Sequence, residues 1–182
     1  KERGTLETIL TFPISRKELI FGKYLAISIS GIVTLLIGVF LSILSLYYVK
    51  NSFSIYDNVI FNINTITILL TILILLFYTL FISGLCITIA SFTKSFKAAQ
   101  SALTPISLVT CIPMFLEMLN INISGVLSFI PIINHTIVIN NILTSSININ
   151  NILITIISSI IYIIVLLLFI NKMYKSEKIL FN

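Results

Sequence analysis

The chain has 182 residues, of which 58% are hydrophobic and only 9% are charged. A soluble domain carries roughly 25% charged residues, so this chain has too few charged side chains to cover a water-exposed surface. Its formal net charge is +5, but the basic residues form short clusters beside apolar runs, as in a membrane protein. Because no basic face with interleaved aromatic residues is present, nucleic acid is not an expected partner. The composition predicts an all-α, polytopic membrane protein.

Residues 1–14 predict a short cytoplasmic amphipathic helix. Leu6 and Leu10 lie on one helical face, whereas Glu2 and Glu7 lie elsewhere. Pro13 disfavours helical geometry at the residue before it, so we expect the helix to end there. By its pattern alone, this helix either lies on the membrane surface or docks a soluble partner.

A second helix is predicted to begin at Ser15. The sequence Ser15-Arg16-Lys17-Glu18 has the form of a capping box, in which the serine hydroxyl caps the Glu18 amide and Glu18 reaches back to the serine. This helix is expected to run through Gly22 and Lys23 into the first apolar segment.

Four segments are long enough to cross a bilayer, which takes about 20 apolar residues. They are roughly residues 24–48, 66–90, 99–118 and 152–171. These runs are continuously apolar and do not alternate, so they predict helices.

The first of these spans carries small residues on one face, which favours close packing against another helix or a partner subunit. The residues are Gly31, Gly38 and Ser42, together with Thr34 and Ser45. The alternative is that these residues are scattered in a tolerant helix.

The distribution of Lys and Arg predicts the orientation of the spans. Basic residues precede the first span, lie between the second and third spans at Lys94 and Lys97, and follow the fourth span. Four spans with both ends of this segment in the cytoplasm place all three clusters inside. The heavy use of Ile and Asn hints at an AT-rich bacterial genome, so we expect a bacterial cytoplasmic membrane.

Residues 119–150 contain no Lys or Arg. The segment is too polar for an ordinary span and too apolar for a free loop, and Gly125 and Pro131 divide it into pieces too short to cross. It predicts a re-entrant or interfacial helical hairpin on the outer face.

Candidate chemistry is sparse. No G-x-x-x-x-G-K-[ST] sequence is present, so the chain is not expected to bind ATP in that way. His135 is the only histidine and has no neighbouring Cys or carboxylate, which makes it a poor metal or protease site. Glu117 is the one acid within a predicted span, so it is a candidate for a substrate or ion pathway, or an interfacial acid that reaches water.

Three sequence segments carry a family resemblance. ERGTLETILTFPISRKELIFGK resembles the segment after the second span of ABC type-2 exporter permeases, in particular those grouped with sodium-efflux and multidrug permeases. FTKSFKAAQSAL, which contains Lys94, Lys97 and Gln100, resembles their next cytoplasmic turn. FIPIINHTIVINNIL resembles their outer Ile-Pro segment. The segments occur in the family's order and cover most of the chain.

The resemblance implies that residues 1–14 are a coupling helix that docks on a separate ABC ATP-binding subunit. The docking residues would be Glu2, Gly4, Thr5, Leu6, Glu7, Leu10 and Pro13. ATP and Mg would bind that partner, and this chain would hold no cofactor. The resemblance also implies a second permease, as a homodimer or heterodimer, and an earlier span and outer domain upstream of the single permease domain 1–182.

The leading hypothesis is therefore the permease subunit of an ABC exporter, with no catalytic site of its own. One rival is a non-transporting membrane anchor or assembly subunit, whose amphipathic helix recruits a soluble partner. The other is a secondary transporter driven by an ion gradient, which would use buried acids near the midplane. Sodium, drugs, peptides and lipids all suit the apolar pathway that this composition predicts.

Overall fold

The computed structural model describes residues 15–52, 64–93, 95–118, 130–144 and 146–175. Within these ranges the chain forms helices and no strand, which confirms the all-α prediction for the described residues. The helices are α1 (Arg16–Ser52), α2 (Thr65–Phe92), α3 (Phe96–Met118), α4 (Pro131–Leu143) and α5 (Ile149–Lys175).

The starts of the helices follow from local sequence. Four helices are preceded by a residue whose side-chain oxygen accepts a backbone N–H near the helix start, namely Ser15, Asn64, Ser95 and Asn148. Such caps satisfy donors that have no partner within the helix. Helix α4 instead begins with proline, whose missing N–H has no intrahelical partner at this position.

Three helices in the described ranges are long and apolar enough to cross a membrane, by length and composition: Lys17–Tyr48, Thr65–Phe92 and Ile149–Lys172. They coincide with three of the four predicted spans. Helix α3 forms where the remaining span was predicted but is not among these three. It carries Lys97 and Gln100 near its start and Pro105 and Pro113 in its interior. Its role as a span stays a prediction.

Helix α2 is the centre of the bundle, because α1, α3, α4 and α5 all contact it. Two apolar clusters hold α2 against its neighbours. The first joins α1, α2 and α5 through Ile20, Tyr24, Ile87 and Ile170. The second joins α2, α4 and α5 through Ile74, Val138, Ile142 and Ile152. The clusters lie toward opposite ends of α2.

Helix α4 belongs to the segment that was predicted as an outer hairpin. One face of α4 is buried along its length and packs against α2, α5 and α3. Residues 119–129 and 145 lie outside the described ranges, so the hairpin itself stays a prediction.

Gly84 allows α5 to approach α2 closely. A Cβ atom at this position would lie 3.3 Å from the Leu166 Cδ1 atom and 3.9 Å from a ring carbon of Tyr24. At Gly38, by contrast, a Cβ atom would meet nothing within 4 Å. Gly84 therefore lies in crowded surroundings, whereas Gly38 faces open space.

We expect Gly84→Leu to destabilise the bundle by about 1–3 kcal/mol, because the added side chain must displace Leu166 or Tyr24. Gly38→Leu is the control and should leave stability unchanged or slightly raised, since leucine favours a helix more than glycine does. Thermal unfolding of the purified protein in detergent, followed by the loss of monodisperse protein, measures both. Equal midpoints for the two variants would contradict the role assigned to Gly84.

Candidate functional site

The residues predicted to dock an ATP-binding subunit are Glu2, Gly4, Thr5, Leu6, Glu7, Leu10 and Pro13. All lie in residues 1–14, outside the described residues. Lys94 also lies outside them. These assignments therefore stay predictions.

The capping box directly after this segment is confirmed. The Ser15 amide donates to the Glu18 Oε2 atom at 2.8 Å, and the Glu18 amide donates to the Ser15 hydroxyl at 3.3 Å. Helix α1 then continues without interruption from Arg16 to Ser52. Residues 1–14 are thus joined directly to the capped end of a continuous helix.

The turn between α2 and α3 is short, as the sequence predicts. Thr93 ends α2 with its backbone N–H bonded to the Ala90 carbonyl at 3.2 Å. Ser95 caps the start of α3 through the Ala98 amide at 3.3 Å. The side chains of Lys97 and Gln100 are exposed at this end of α3.

The small residues of α1 occupy two different environments. Gly31 faces α2, where a Cβ atom would lie 3.6 Å from the Ser83 hydroxyl and 3.9 Å from the Thr79 Cβ atom. Gly38 faces open space, and Ser42 donates its hydroxyl hydrogen to the Gly38 carbonyl at 2.8 Å. Of the two glycines, Gly31 is the one that a neighbouring helix approaches closely.

A crevice of about 340 Å³ opens between α1 and α2 beside Gly31. Hydroxyl groups of Ser30, Thr34, Thr79 and Ser83 line it, together with the side chain of Tyr78. Each of the four Ser and Thr hydroxyls donates its hydrogen to a carbonyl of its own helix. The surface of the crevice is mostly apolar, and Ile27 and Ile82 also line it.

His135 forms a buried polar contact between α4 and α5. Its side chain is only 1% exposed, and the side chains of Ser159 and Thr155 on α5 are fully buried. The His135 Nε2 atom lies 3.0 Å from the Ser159 hydroxyl, and its Nδ1 atom contacts the Pro131 carbonyl one turn earlier. The Tyr78 ring of α2 packs against the imidazole with their centroids 5.3 Å apart.

The partners of His135 determine its tautomer. The Pro131 carbonyl can only accept, so the Nδ1 atom carries a hydrogen. The Ser159 hydroxyl donates its hydrogen to the Thr155 carbonyl at 2.6 Å. The Nε2 atom lies 3.0 Å from the same hydroxyl oxygen.

Glu117 belongs to α3, but its side chain lies outside the described residues. A pathway role for Glu117 therefore stays a prediction. Within the described ranges, no group of three or more His, Cys, Asp or Glu residues is placed to hold a metal ion.

Residues 1–170 match the family model described as ABC-2 family transporter protein. The match covers most of the chain. The chain belongs to the ABC-2 transporter family. No curated protein and no solved structure matches it.

The ABC-2 assignment and the three long apolar helices make this chain a multi-pass membrane permease of the ABC transporter class. The family match includes residues 1–14 as well as the described helices. The capping box and the α2–α3 turn are therefore features of a permease.

The sequence analysis described His135 as a poor metal site and did not predict that its side chain is buried. One feature of the sequence could have indicated this burial. His135 follows Pro131 by one helical turn, and Thr155 and Ser159 are spaced one turn apart in an apolar run. Polar residues with this spacing in lipid-exposed sequence need partners, but the sequence does not state which helix supplies them.

We expect Ser159→Ala in the permease to lower stability by about 1–3 kcal/mol, because it leaves the buried Nε2 atom of His135 without a partner. Ser158→Ala is the matched control, since the Ser158 hydroxyl bonds the Thr155 carbonyl of its own helix at 2.9 Å. Thermal unfolding midpoints in detergent compare the two. An effect of Ser158→Ala as large as that of Ser159→Ala would disprove the special role of the His135 contact.

Proposed function

We propose that this chain is the membrane-spanning permease subunit of an ABC exporter. It moves its substrate out across the bacterial cytoplasmic membrane, and ATP hydrolysis in a separate subunit supplies the energy. The observation that carries this proposal is the ABC-2 family match over residues 1–170. In this proposal ATP and Mg bind the partner subunit, and the 182 residues of this chain contain no G-x-x-x-x-G-K-[ST] sequence.

In this proposal residues 1–14 are the coupling helix. Leu6 and Leu10 supply its apolar contacts with the ATP-binding subunit, and Glu2 and Glu7 supply charge pairs at the rim. The support is the helical face that Leu6 and Leu10 share in the sequence pattern, and the position of residues 1–14 before the capped start of α1 at Ser15.

Helix α1 transmits the movement of the coupling helix into the membrane. It has 37 residues, which at about 1.5 Å per residue gives a length of roughly 55 Å. A continuous helix of this length moves as a rod, so a displacement at Ser15 also changes its contacts with α2. One of these is the hydrogen bond from the Tyr24 hydroxyl to the Leu80 carbonyl, at 3.2 Å.

The proposed topology has four spans with both ends of this segment in the cytoplasm. Helix α3 is the remaining span, and α4 is part of a re-entrant or interfacial hairpin on the outer face. The exposed Lys97 at the start of α3 and Lys172 near the end of α5 support this orientation. A second permease, identical or different, completes the transport pathway in this proposal.

The double variant Glu7→Lys with Leu10→Asp should abolish co-purification with the ATP-binding subunit while membrane insertion stays normal, because it removes an apolar contact and reverses a charge. Thr8→Lys with Phe12→Asp introduces the same side chains on the opposite helical face and is the control. Affinity purification of the tagged permease, with the ATP-binding subunit quantified in the eluate, measures both. Unchanged co-purification of the Glu7/Leu10 variant would refute the coupling-helix assignment.

If Glu117 lies on the transport pathway, Glu117→Gln should lower the transport rate and Glu117→Asp should largely restore it, because the second variant keeps the charge. The assay co-reconstitutes the permease with its ATP-binding subunit. It first identifies compounds that stimulate ATP hydrolysis and then measures their ATP-dependent movement. Equal transport rates for Glu117→Gln and the unaltered protein would contradict a pathway role and favour the alternative, in which Glu117 is an interfacial acid that reaches water.

The same reconstituted system tests the function as a whole. An exporter requires ATP and its partner for movement of the compound. Movement that is driven by an ion gradient without ATP would favour the secondary transporter. A stable complex that moves none of the compounds and shows no stimulated ATP hydrolysis would favour the anchoring subunit.

A further inference from the structure

A groove of about 490 Å³ runs between the start of α1 and the end of α5. Its inner side is formed by the buried Ile20 of α1 and the half-buried Leu167 of α5, which both contribute to the apolar cluster that joins α1, α2 and α5. Phe21, Ile164 and Leu168 also line the groove, and each of these side chains is at least half exposed. The groove is therefore an open, largely apolar surface on the outside of the bundle.

The chemical character of the groove changes along its length, in the same direction on both helices. On α1, Lys17 and Glu18 lie in the first turn, and Phe21 follows one turn later. On α5, Asn171 lies near the end of the helix. Ile164 lies seven residues before Asn171, about 10 Å deeper at 1.5 Å per residue. The groove thus has a polar part at the helix ends and an apolar part toward the middle of the bundle.

The polar part of the groove coincides with the boundary of two membrane-crossing stretches. The stretch in α1 begins at Lys17, and the stretch in α5 ends at Lys172. Lipid headgroups lie at this boundary, and the hydrocarbon chains lie beside the apolar residues that follow. A molecule that fills the groove therefore needs a polar group near Lys17 and a hydrocarbon chain near Ile164. A phospholipid has both in this order.

The charge at the polar part of the groove favours an anionic phospholipid. Residues 16–23 and 171–175 contain five basic residues and one acidic residue, namely Arg16, Lys17, Lys23, Lys172 and Lys175 against Glu18. The side chains of Lys17 and Lys172 are exposed. The Glu18 carboxylate accepts a hydrogen bond from the Ser15 amide at 2.8 Å, so it is used in the cap of α1. Basic pockets between membrane helices are known to bind anionic lipid headgroups.

We propose that this groove binds one anionic phospholipid from the adjacent leaflet. Lys17 contacts the lipid phosphate through its charged tip, while its apolar stem lies along the groove. Phe21, Ile164 and Leu168 contact an acyl chain. Lys172 follows Asn171 at the same end of α5 and adds to the preference for negative charge.

Tryptophan fluorescence tests the site, because these 182 residues contain no Trp. Phe21→Trp places a single reporter in the groove. Phe169→Trp is the matched control reporter, since Phe169 is exposed to a similar extent and lies near the same end of α5 but does not line the groove. The permease is reconstituted in vesicles of equal parts phosphatidylglycerol and phosphatidylcholine. Bromine atoms, which quench tryptophan on contact, are carried by the acyl chains of one lipid or of the other.

We expect brominated phosphatidylglycerol to quench the reporter at position 21 more strongly than brominated phosphatidylcholine does. Both lipids should quench the reporter at position 169 equally. Adding Lys17→Gln to the Phe21→Trp protein should lower the preference for phosphatidylglycerol by about fivefold, because one basic side chain near the headgroups is lost. Adding Lys172→Gln as well should lower it further. Lys97→Gln removes an exposed lysine next to the α2–α3 turn, away from the groove, and should leave the preference unchanged.

Three results would overturn the proposal. Equal quenching by both lipids at position 21 would mean that the groove does not select an anionic lipid. Quenching by neither lipid at this position would mean that protein, not lipid, covers the groove. A preference that persists after Lys17→Gln and Lys172→Gln are combined would mean that these lysines do not recognise the headgroup. The measurement needs neither ATP nor a transported compound, so its outcome is separate from that of the proposed function.

Discussion

An apolar solvent offers no hydrogen-bond partners, and this constraint governs how the polar side chains of the bundle are used. Most Ser and Thr hydroxyls donate to the carbonyl three or four residues earlier in their own helix, as at Thr71, Thr88 and Thr110. They add no link between helices. Among the described residues, the Tyr24 hydroxyl bonds a carbonyl of α2 and His135 bonds Ser159 of α5, and both bonds join different helices. These two bonds fix specific points of contact between the helices.

The two bonds lie between the two apolar clusters, near the middle of α2, because the Tyr24 hydroxyl bonds the Leu80 carbonyl and the His135 ring packs on Tyr78. Tyr24 belongs to the cluster that joins α1, α2 and α5, and His135 stands next to the cluster that joins α2, α4 and α5. Helices α2 and α5 are therefore common to both ends, whereas α1 enters the first cluster and α4 the second. Gly84 keeps the common pair close, because its missing side chain leaves room for Leu166.

The sequence predicted those features that depend on neighbours along the chain. Three spans follow from apolar length, and the Ser15–Glu18 cap follows from residue types three positions apart. The sequence did not predict the features that depend on which helices contact one another. The pattern of α4 indicated a short interfacial piece but not its buried face, and nothing local to His135 identifies Ser159, which lies 24 residues later, as its partner. Of the small residues in α1, the sequence could not tell Gly31, which faces Thr79 and Ser83, from Gly38, which faces open space.

This arrangement of helices bears on how a displacement at one end of an ABC-2 permease could alter helix contacts at the other end. Under the proposed function, a docked subunit displaces the capped start of α1, where Ile20 and Tyr24 contact α2 and α5. Helix α1 is not part of the second cluster among the described residues, whereas α2 and α5 belong to both clusters, so these two helices connect α1 to α4. A shift of α5 along its axis would separate Ser159 from His135, because a hydrogen bond of 3.0 Å does not survive a displacement of one helical turn, about 5.4 Å. Under the proposed function, the His135–Ser159 contact is thus a point at which motion from α1 would reach α4.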